Sequence, residues 1–219
     1  SFGERARLWD EFDPALHRVT LRLTGDDADD ERQFDVGLRR IESRDATFYV
    51  NGRKTFFRGT HEGCAFPLTG YPPTDVESWR KVFGVVKDYG LNHVRFHSWC
   101  PPEAAFVAAD AMGVYLQPEC SNWGQYSSRD DAMKEFLYRE TEQIVRAYGN
   151  HPSFVMLSSG NEPAGPWQEV LTPWLKEWKA KDDRRIYTTQ TGRYYGNRPG
   201  PVDDIDYLIA IRIGMYRFR

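Results

Sequence analysis

A carboxylate, an amide and a glycine turn stand together at Ser158-Ser159-Gly160-Asn161-Glu162-Pro163, directly after the apolar run Ser153-Phe154-Val155-Met156-Leu157. Glu162 can lose and regain a proton near neutral pH if the fold gives it a semi-buried site that tunes its acidity. Asn161 beside it can hydrogen-bond a sugar hydroxyl, a contact that strengthens in an oxocarbenium-like transition state. Three earlier apolar runs end on residues of similar kind: His61 and Glu62, then Arg95 and His97, then Glu119 with Trp123. Flanked by aromatic side chains, such a set suits carbohydrate chemistry. Each member also has an ordinary structural reading. Arg95 reads as a support of the site through ion pairing more than as a substrate contact. Glu119 reads equally as its buried partner or as a direct site residue. His61 and His97 read as hydrogen-bonded histidines at a strand end, and Trp123 as a stacking platform for a sugar ring or as a packed aromatic.

The elements that must position these residues are legible from periodicity. Arg18–Leu23 and Phe34–Leu38 alternate apolar and polar residues, as strands with one buried face do, and the acidic run Asp26–Glu31 between them reads as a solvated turn. Asn51-Gly52 between Phe48–Val50 and Thr55–Gly59 signals a hairpin, since both turn residues need positive φ. From there strands alternate with helices. Thr74 and Glu77 have capping-box spacing ahead of an apolar face of Val76, Trp79, Val82, Phe83 and Val86, closed by Gly90. A strand over Leu91–Phe96, a helix over Pro102–Met112 and a strand over Val114–Gln117 follow. Next come a helix from near Ser128 to Tyr148, the strand before Glu162, and a helical stripe of Trp167, Val170, Leu171, Trp174, Leu175 and Trp178 that reads as packing. Ile186–Thr189 and Tyr207–Ile213 read as two further strands.

Alternation of this kind means βαβ units and a parallel sheet, whose sites lie at the C-terminal ends of its strands. At about 31 residues per unit of a closed eight-fold barrel, the residues after position 45 make five units and part of a sixth. The expected fold is therefore α/β: a partial (β/α)8 barrel of about five to six βα units over residues 44–219. The strands of residues 1–43 read as the last of a β-sandwich. Open edges on such a sheet would favour a homo-oligomer formed through them.

Composition bounds the partners. The 219 residues carry 29 basic and 32 acidic side chains, a formal charge of −3, so neither a nucleic-acid surface nor a polybasic membrane surface is expected. No apolar run nears the roughly 20 residues of a spanning helix, and 15% aromatic content argues for a packed core. Ser1–Asp10 lack the apolar centre of a signal peptide, which leaves the compartment open. Cys64, Cys100 and Cys120 are too few for a disulfide framework and have no CxxC spacing. Each follows a strand, so all three are expected at one mouth near His61, His97 and Glu119. Three unrelated thiols are the main reading there and a soft-metal site the lesser one. No cofactor and no metal are called for.

The segment from Arg58 to Glu162 resembles glycoside hydrolase family 2, the group of β-galactosidases, β-glucuronidases and β-mannosidases. Leu8-Trp9-Asp10 with Val19-Thr20-Leu21 looks like the end of the family's immunoglobulin-like sandwich, and Asn51-Gly52 with Phe57-Arg58-Gly59 like its entry to the barrel. Val94-Arg95, Asp110, Gly113 and Glu119 match the second and third strands, and His151-Pro152-Ser153 to Asn161-Glu162 matches the acid/base signature. The resemblance implies a retaining exo-β-glycosidase, with Glu162 as general acid/base and Asn161 as the sugar-contacting partner. It implies that Arg95 orients a carboxylate, and that Glu119 sits where some members use a carboxylate near magnesium. The chain departs from the pattern at Ser98, where a histidine is usual with His97 one place earlier, at Trp123 in place of a second histidine, and at Leu157 in place of a tryptophan. The family's nucleophilic glutamate belongs to the seventh strand, and no glutamate follows Glu177. The implied fragment is a truncated catalytic region without its nucleophile, or a non-catalytic carbohydrate-binding remnant.

Overall fold

The computed structural model describes residues 3, 6–25, 29–126, 130–192 and 204–209. It opens with an antiparallel hairpin, β1 (His17–Thr24) and β2 (Asp29–Val36), in the register His17↔Val36 to Thr24↔Asp29. The alternation separates its faces. Val19, Leu21, Leu23 and Phe34 share one, while the other carries the cross-strand ion pairs Arg18–Asp35 and Arg22–Glu31, both at 2.7 Å. These pairs explain a difference from the sequence expectation: the acidic run is strand from Asp29 onward, because Glu31 finds Arg22 opposite it. Leu38 leaves the strand and bridges Leu8.

A meander follows, β3 (Ile41–Arg44), β4 (Thr47–Val50) and β5 (Arg53–Thr55). Asn51 and Gly52 form the expected turn with φ of 53° and 76°, and the Asn51 amide bonds Trp9 O at 3.1 Å. The second arm of the hairpin is shorter than the apolar pattern suggests, ending at Thr55.

The remaining elements alternate: β6 (Gly59–Glu62), α1 (Val76–Asp88), β7 (His93–Phe96), α2 (Glu103–Met112), β8 (Tyr115–Gln117), β9 (Trp123–Gln125), α3 (Asp131–Tyr148), β10 (Met156–Ser158), β11 (Asn161–Ala164), α4 (Trp167–Lys181) and β12 (Ile186–Thr188). Helix α1 is capped one residue later than the capping-box spacing implies. Asp75, in extended conformation, accepts from Ser78 N at 2.8 Å, so the cap is an aspartate and not Thr74. Pro102 stands at the N-cap of α2, and Gly113 closes it at φ 67°, where a Cβ would come within 2.9 Å of Glu11 O. Asp130 caps α3 through Met133 N, so that helix begins after Ser128, which lies outside the described residues.

Strands β6, β7 and β8 pair in parallel, as do β10 and β12. Parallel bridges Leu116↔Phe154 and Glu119↔Ser158 join the two sets, and Thr191↔Ile209 continues the order. The sheet thus runs β6-β7-β8-β10-β12 in sequence order, one direction throughout. Of the strand expected over Tyr207–Ile213, only Tyr207–Ile209 falls among the described residues.

Period-2 alternation divides the sheet's faces. Leu116, Leu157 and Tyr187 pack with Trp79 and Phe83 of α1, Phe106 of α2, Leu137 of α3 and Trp174 of α4. Their neighbours Tyr115, Met156 and Ile186 turn the other way, towards Trp9, Ile41, Val50 and Tyr207. All six apolar residues of the α4 stripe are buried. The second face is where His93, Arg95 and Gln117 also point, two residues apart along their strands.

Candidate active site

The site forms where β7, β8, β10 and β12 end. Arg95 and Glu119 meet as a buried ion pair, with Arg95 Nε donating to Glu119 Oε1 at 2.6 Å and Nη2 to Oε2 at 3.3 Å. Glu119 has no exposed surface. Its carboxylate accepts two further bonds, from Ser98 N at 2.7 Å and from the Thr191 hydroxyl. Arg95 Nη2 also donates to Asn161 Oδ1 at 2.6 Å and to Thr191 Oγ1 at 2.7 Å. Charge-assisted contacts this short, removed from water, fix the geometry of everything attached to them.

Two strands that the alternation did not announce bring in the remaining groups. β9 and β11 pair in parallel beyond the ends of β8 and β10, with Trp123 opposite Asn161. Gly160 makes the bend between β10 and β11 at φ 144°, and a Cβ there would stand 2.3 Å from Asn122 O. Glycine is required by both conformation and space. Asn161 N then donates to Asn122 O and Glu162 N to Thr191 O, each at 2.9 Å.

Glu162 sits half-buried in the left-handed region at φ 44°. Its Oε2 accepts from Trp123 Nε1 at 3.3 Å. Trp123 is 64% exposed, and its ring lies edge-on to His97 at 4.9 Å between centroids, with His61 a further 6.1 Å from His97. Ser98 at φ 61° and Cys64 at φ 58° stand in the same unfavourable region on the loops after β7 and β6. Three strained non-glycine residues on neighbouring strand-end loops are what functional sites tend to hold in place.

The seven residues singled out from sequence therefore fall into two connected groups. Arg95, Glu119 and Asn161 form the buried network; Glu162, Trp123, His97 and His61 form a row above it. Thr191 and Ser98 belong to the network and were not singled out. Reading the end of the fifth strand as the other four were read would have reached Thr191. Ser98 reaches Glu119 through its backbone N–H, which no side-chain pattern announces, while its hydroxyl lies 3.1 Å from His97 Nδ1.

The inner face of the sheet lines an open pocket of about 490 Å3 that reaches the network through Arg95 and the row through His61, and whose walls also include Phe57, His93, Gln117 and Tyr207. Glu162 is not part of those walls. His93 Nε2, both polar atoms of the Gln117 amide and the Tyr207 hydroxyl are buried without a hydrogen-bond partner. Burial, with the nearby Arg95 charge, lowers the His93 pKa to about 4.

The cysteines do not converge on one mouth as their strand-end positions suggested. Cys64 is exposed, whereas Cys100 and Cys120 pack against the core under the helix layer, with Cys120 against Thr141 of α3 at 3.3 Å. Burial there pushes its thiol up to about 12. Among the described residues no three His, Cys, Asp or Glu side chains are grouped closely enough to hold a metal ion.

The profile of the glycosyl hydrolases family 2, TIM barrel domain, matches residues 41–217. A β-galactosidase from Aeromonas hydrophila is 28% identical over 181 residues, covering 78% of this chain and 17% of its own length. A β-glucuronidase from Chlorocebus aethiops is 26% identical over 217 residues, covering 91% and 33%. The solved structure of a β-D-glucuronidase from Dictyoglomus thermophilum superposes with a TM-score of 0.79 at 20% identity, covering 93% of this chain and 37% of that one. The chain thus spans a third or less of the length of these curated relatives. With most of its length matched to that one domain's profile, residues 41–217, the chain belongs to glycosyl hydrolase family 2.

Proposed function

We propose that this chain carries the acid/base half of a retaining exo-β-glycosidase site, with Glu162 as the group that protonates the glycosidic oxygen. The observation that carries the reading is Glu162's setting. The residue is half-buried, its carboxyl group accepts from the Trp123 indole, and it rides on a bend pinned by Gly160 and by the Asn161 bond to Arg95. Acid catalysis needs such a fixed carboxyl group. Asn161 Nδ2 is buried with no partner; an unpaired donor costs about 1–3 kcal/mol, and a sugar hydroxyl would satisfy it. The substrate is a carbohydrate β-glycoside. The exposed Trp123 face offers its ring a stacking surface, and His97 and His61 extend the row of polar contacts.

In this reading residues 1–43 are the last strands of an immunoglobulin-like sandwich, and 44–219 the first five to six units of the barrel. The nucleophile comes from outside them. Retention needs a second carboxylate roughly 5–5.5 Å from the first. Glu119, the other carboxylate of the cluster, is fully buried and accepts four hydrogen bonds, so it has no free lone pair to attack a sugar. That same observation favours a second reading for the 219-residue chain by itself: a module that binds a carbohydrate without turning it over.

Glu162→Gln tests the first reading and calorimetry separates the two. Hydrolysis of aryl β-glycosides with poor leaving groups should fall at least about 100-fold in the variant. Unchanged hydrolysis removes Glu162 from the role. Sugar binding with no turnover by a wild-type form that includes the second carboxylate selects the binding module.

A further inference from the structure

We infer that Thr191 is a positioning residue for Glu162, linking the buried Arg95–Glu119 pair to the bend that carries the acid. The inference rests on the acid/base reading of Glu162 and adds a residue that neither the motif nor the strand-end pattern had marked.

Thr191 has no exposed surface and uses every polar atom it owns. Its carbonyl accepts from Glu162 N at 2.9 Å, and its N–H donates to Gly160 O at 3.2 Å. Its backbone thus grips both sides of the bend across a parallel bridge to Asn161. The hydroxyl faces the ion pair. It accepts from Arg95 Nη2 at 2.7 Å and lies within bonding distance of both Glu119 Oε1 and Gly160 O, the latter at 3.2 Å. A hydroxyl has one proton. The carboxylate is the stronger acceptor, so the proton goes to Glu119, and Gly160 O keeps the backbone N–H. One side chain therefore ties the two charges to the backbone that sets Glu162.

The geometric consequence follows from Glu162 at φ 44°. A glutamate in that region returns towards ordinary backbone angles unless its surroundings hold it. Besides the Asn161 N–H bond to Asn122 O, the bend is held by Asn161 to Arg95 and by Thr191 to Glu162, and the Thr191 hydroxyl fixes the second of these to the first. Removing the hydroxyl leaves the backbone bonds without their anchor and lets the carboxyl group drift, and a shift of about 1 Å costs about 100-fold in rate.

The test compares Thr191→Val, which keeps the shape, with Thr191→Ser, which keeps the hydroxyl, in the 219-residue protein for exchange and, for turnover, in a form long enough to supply the second carboxylate. The first readout is amide hydrogen exchange. In Thr191→Val the Glu162 N–H should exchange at least about tenfold faster while Tyr187 N–H is unchanged; Thr191→Ser should stay within threefold of wild type. The second is leaving-group dependence. In Thr191→Val, kcat/KM for a phenyl β-glycoside should fall about 100-fold and that for a dinitrophenyl β-glycoside, which leaves unprotonated, less than about threefold. Unchanged exchange at Glu162 overturns the inference, as does an equal loss on both substrates, which marks a merely structural role. A wild-type form that includes the second carboxylate and is inactive on every aryl glycoside defeats the acid/base reading instead, and the exchange comparison then decides by itself whether Thr191 holds the bend.

Discussion

At the scale of single residues the site is governed by one ion pair removed from water. Burying Arg95 and Glu119 costs solvation that only complete hydrogen bonding restores, and Glu119 has four donors to do it. The pair is thus a fastening for Asn161 and Thr191 more than a source of stability. Glu119→Gln leaves the Arg95 charge buried and unmatched, and urea unfolding should show a loss of about 3–5 kcal/mol. The double variant Arg95→Met/Glu119→Leu should lose clearly less than the sum of the single changes. Additive losses would mean that the two groups do not act as a pair.

At the scale of elements, the strand ends do the positioning. β9 and β11 extend the sheet past the residues where β8 and β10 stop, and this places Trp123 against Glu162. Sheet edges belong to the same scale. Asn92 N bonds Arg58 O, and His97 N bonds Glu62 O. With a period of two, the backbone groups of Gly59 and His61 face away from β7. Among the described residues nothing pairs with that side of β6. The hairpin β1–β2 adds exposed Leu21, Leu23 and Phe34 on one face. Unpaired edges and apolar faces associate, and the expected outcome is a mass above the 25.5 kDa of one chain by light scattering at micromolar concentration. A uniform 25.5 kDa species would end that expectation.

At the scale of the whole molecule, the inner face of the sheet sets the response to acid. His93 is buried there as the neutral form, its pKa lowered to about 4 from the ordinary value near 6.5. The unfolded chain takes up a proton on this histidine below about pH 6.5, and the folded chain does not until about pH 4. Stability conferred by the neutral ring is complete above pH 6.5 and falls between those two values. The loss amounts to about 3 kcal/mol across the window. His93→Gln should flatten this part of the stability–pH curve; a curve of unchanged slope would show that the ring is solvated.

The sequence alone determined the order of the helices and of the strands they alternate with, though not β9 and β11, because βαβ alternation, helix stripes and turn residues are local chemistry read by period. It also brought Glu162, Asn161, Arg95, Glu119, His97, Trp123 and His61 to strand ends. Cap and strand limits moved by a residue or more where a partner decided: Asp75 in place of Thr74 through Ser78 N, Asp29 into β2 through the Arg22–Glu31 pair. What only the tertiary structure decided is which strand ends touch. Arg95, Glu119, Asn161 and Thr191 are separated by 24 to 96 positions, and no local pattern encodes that they share one set of hydrogen bonds. Cys120 shows the same limit in reverse. It follows a strand as Glu119 does, yet the alternation of the pleat turns it to the helix layer and its neighbour to the network.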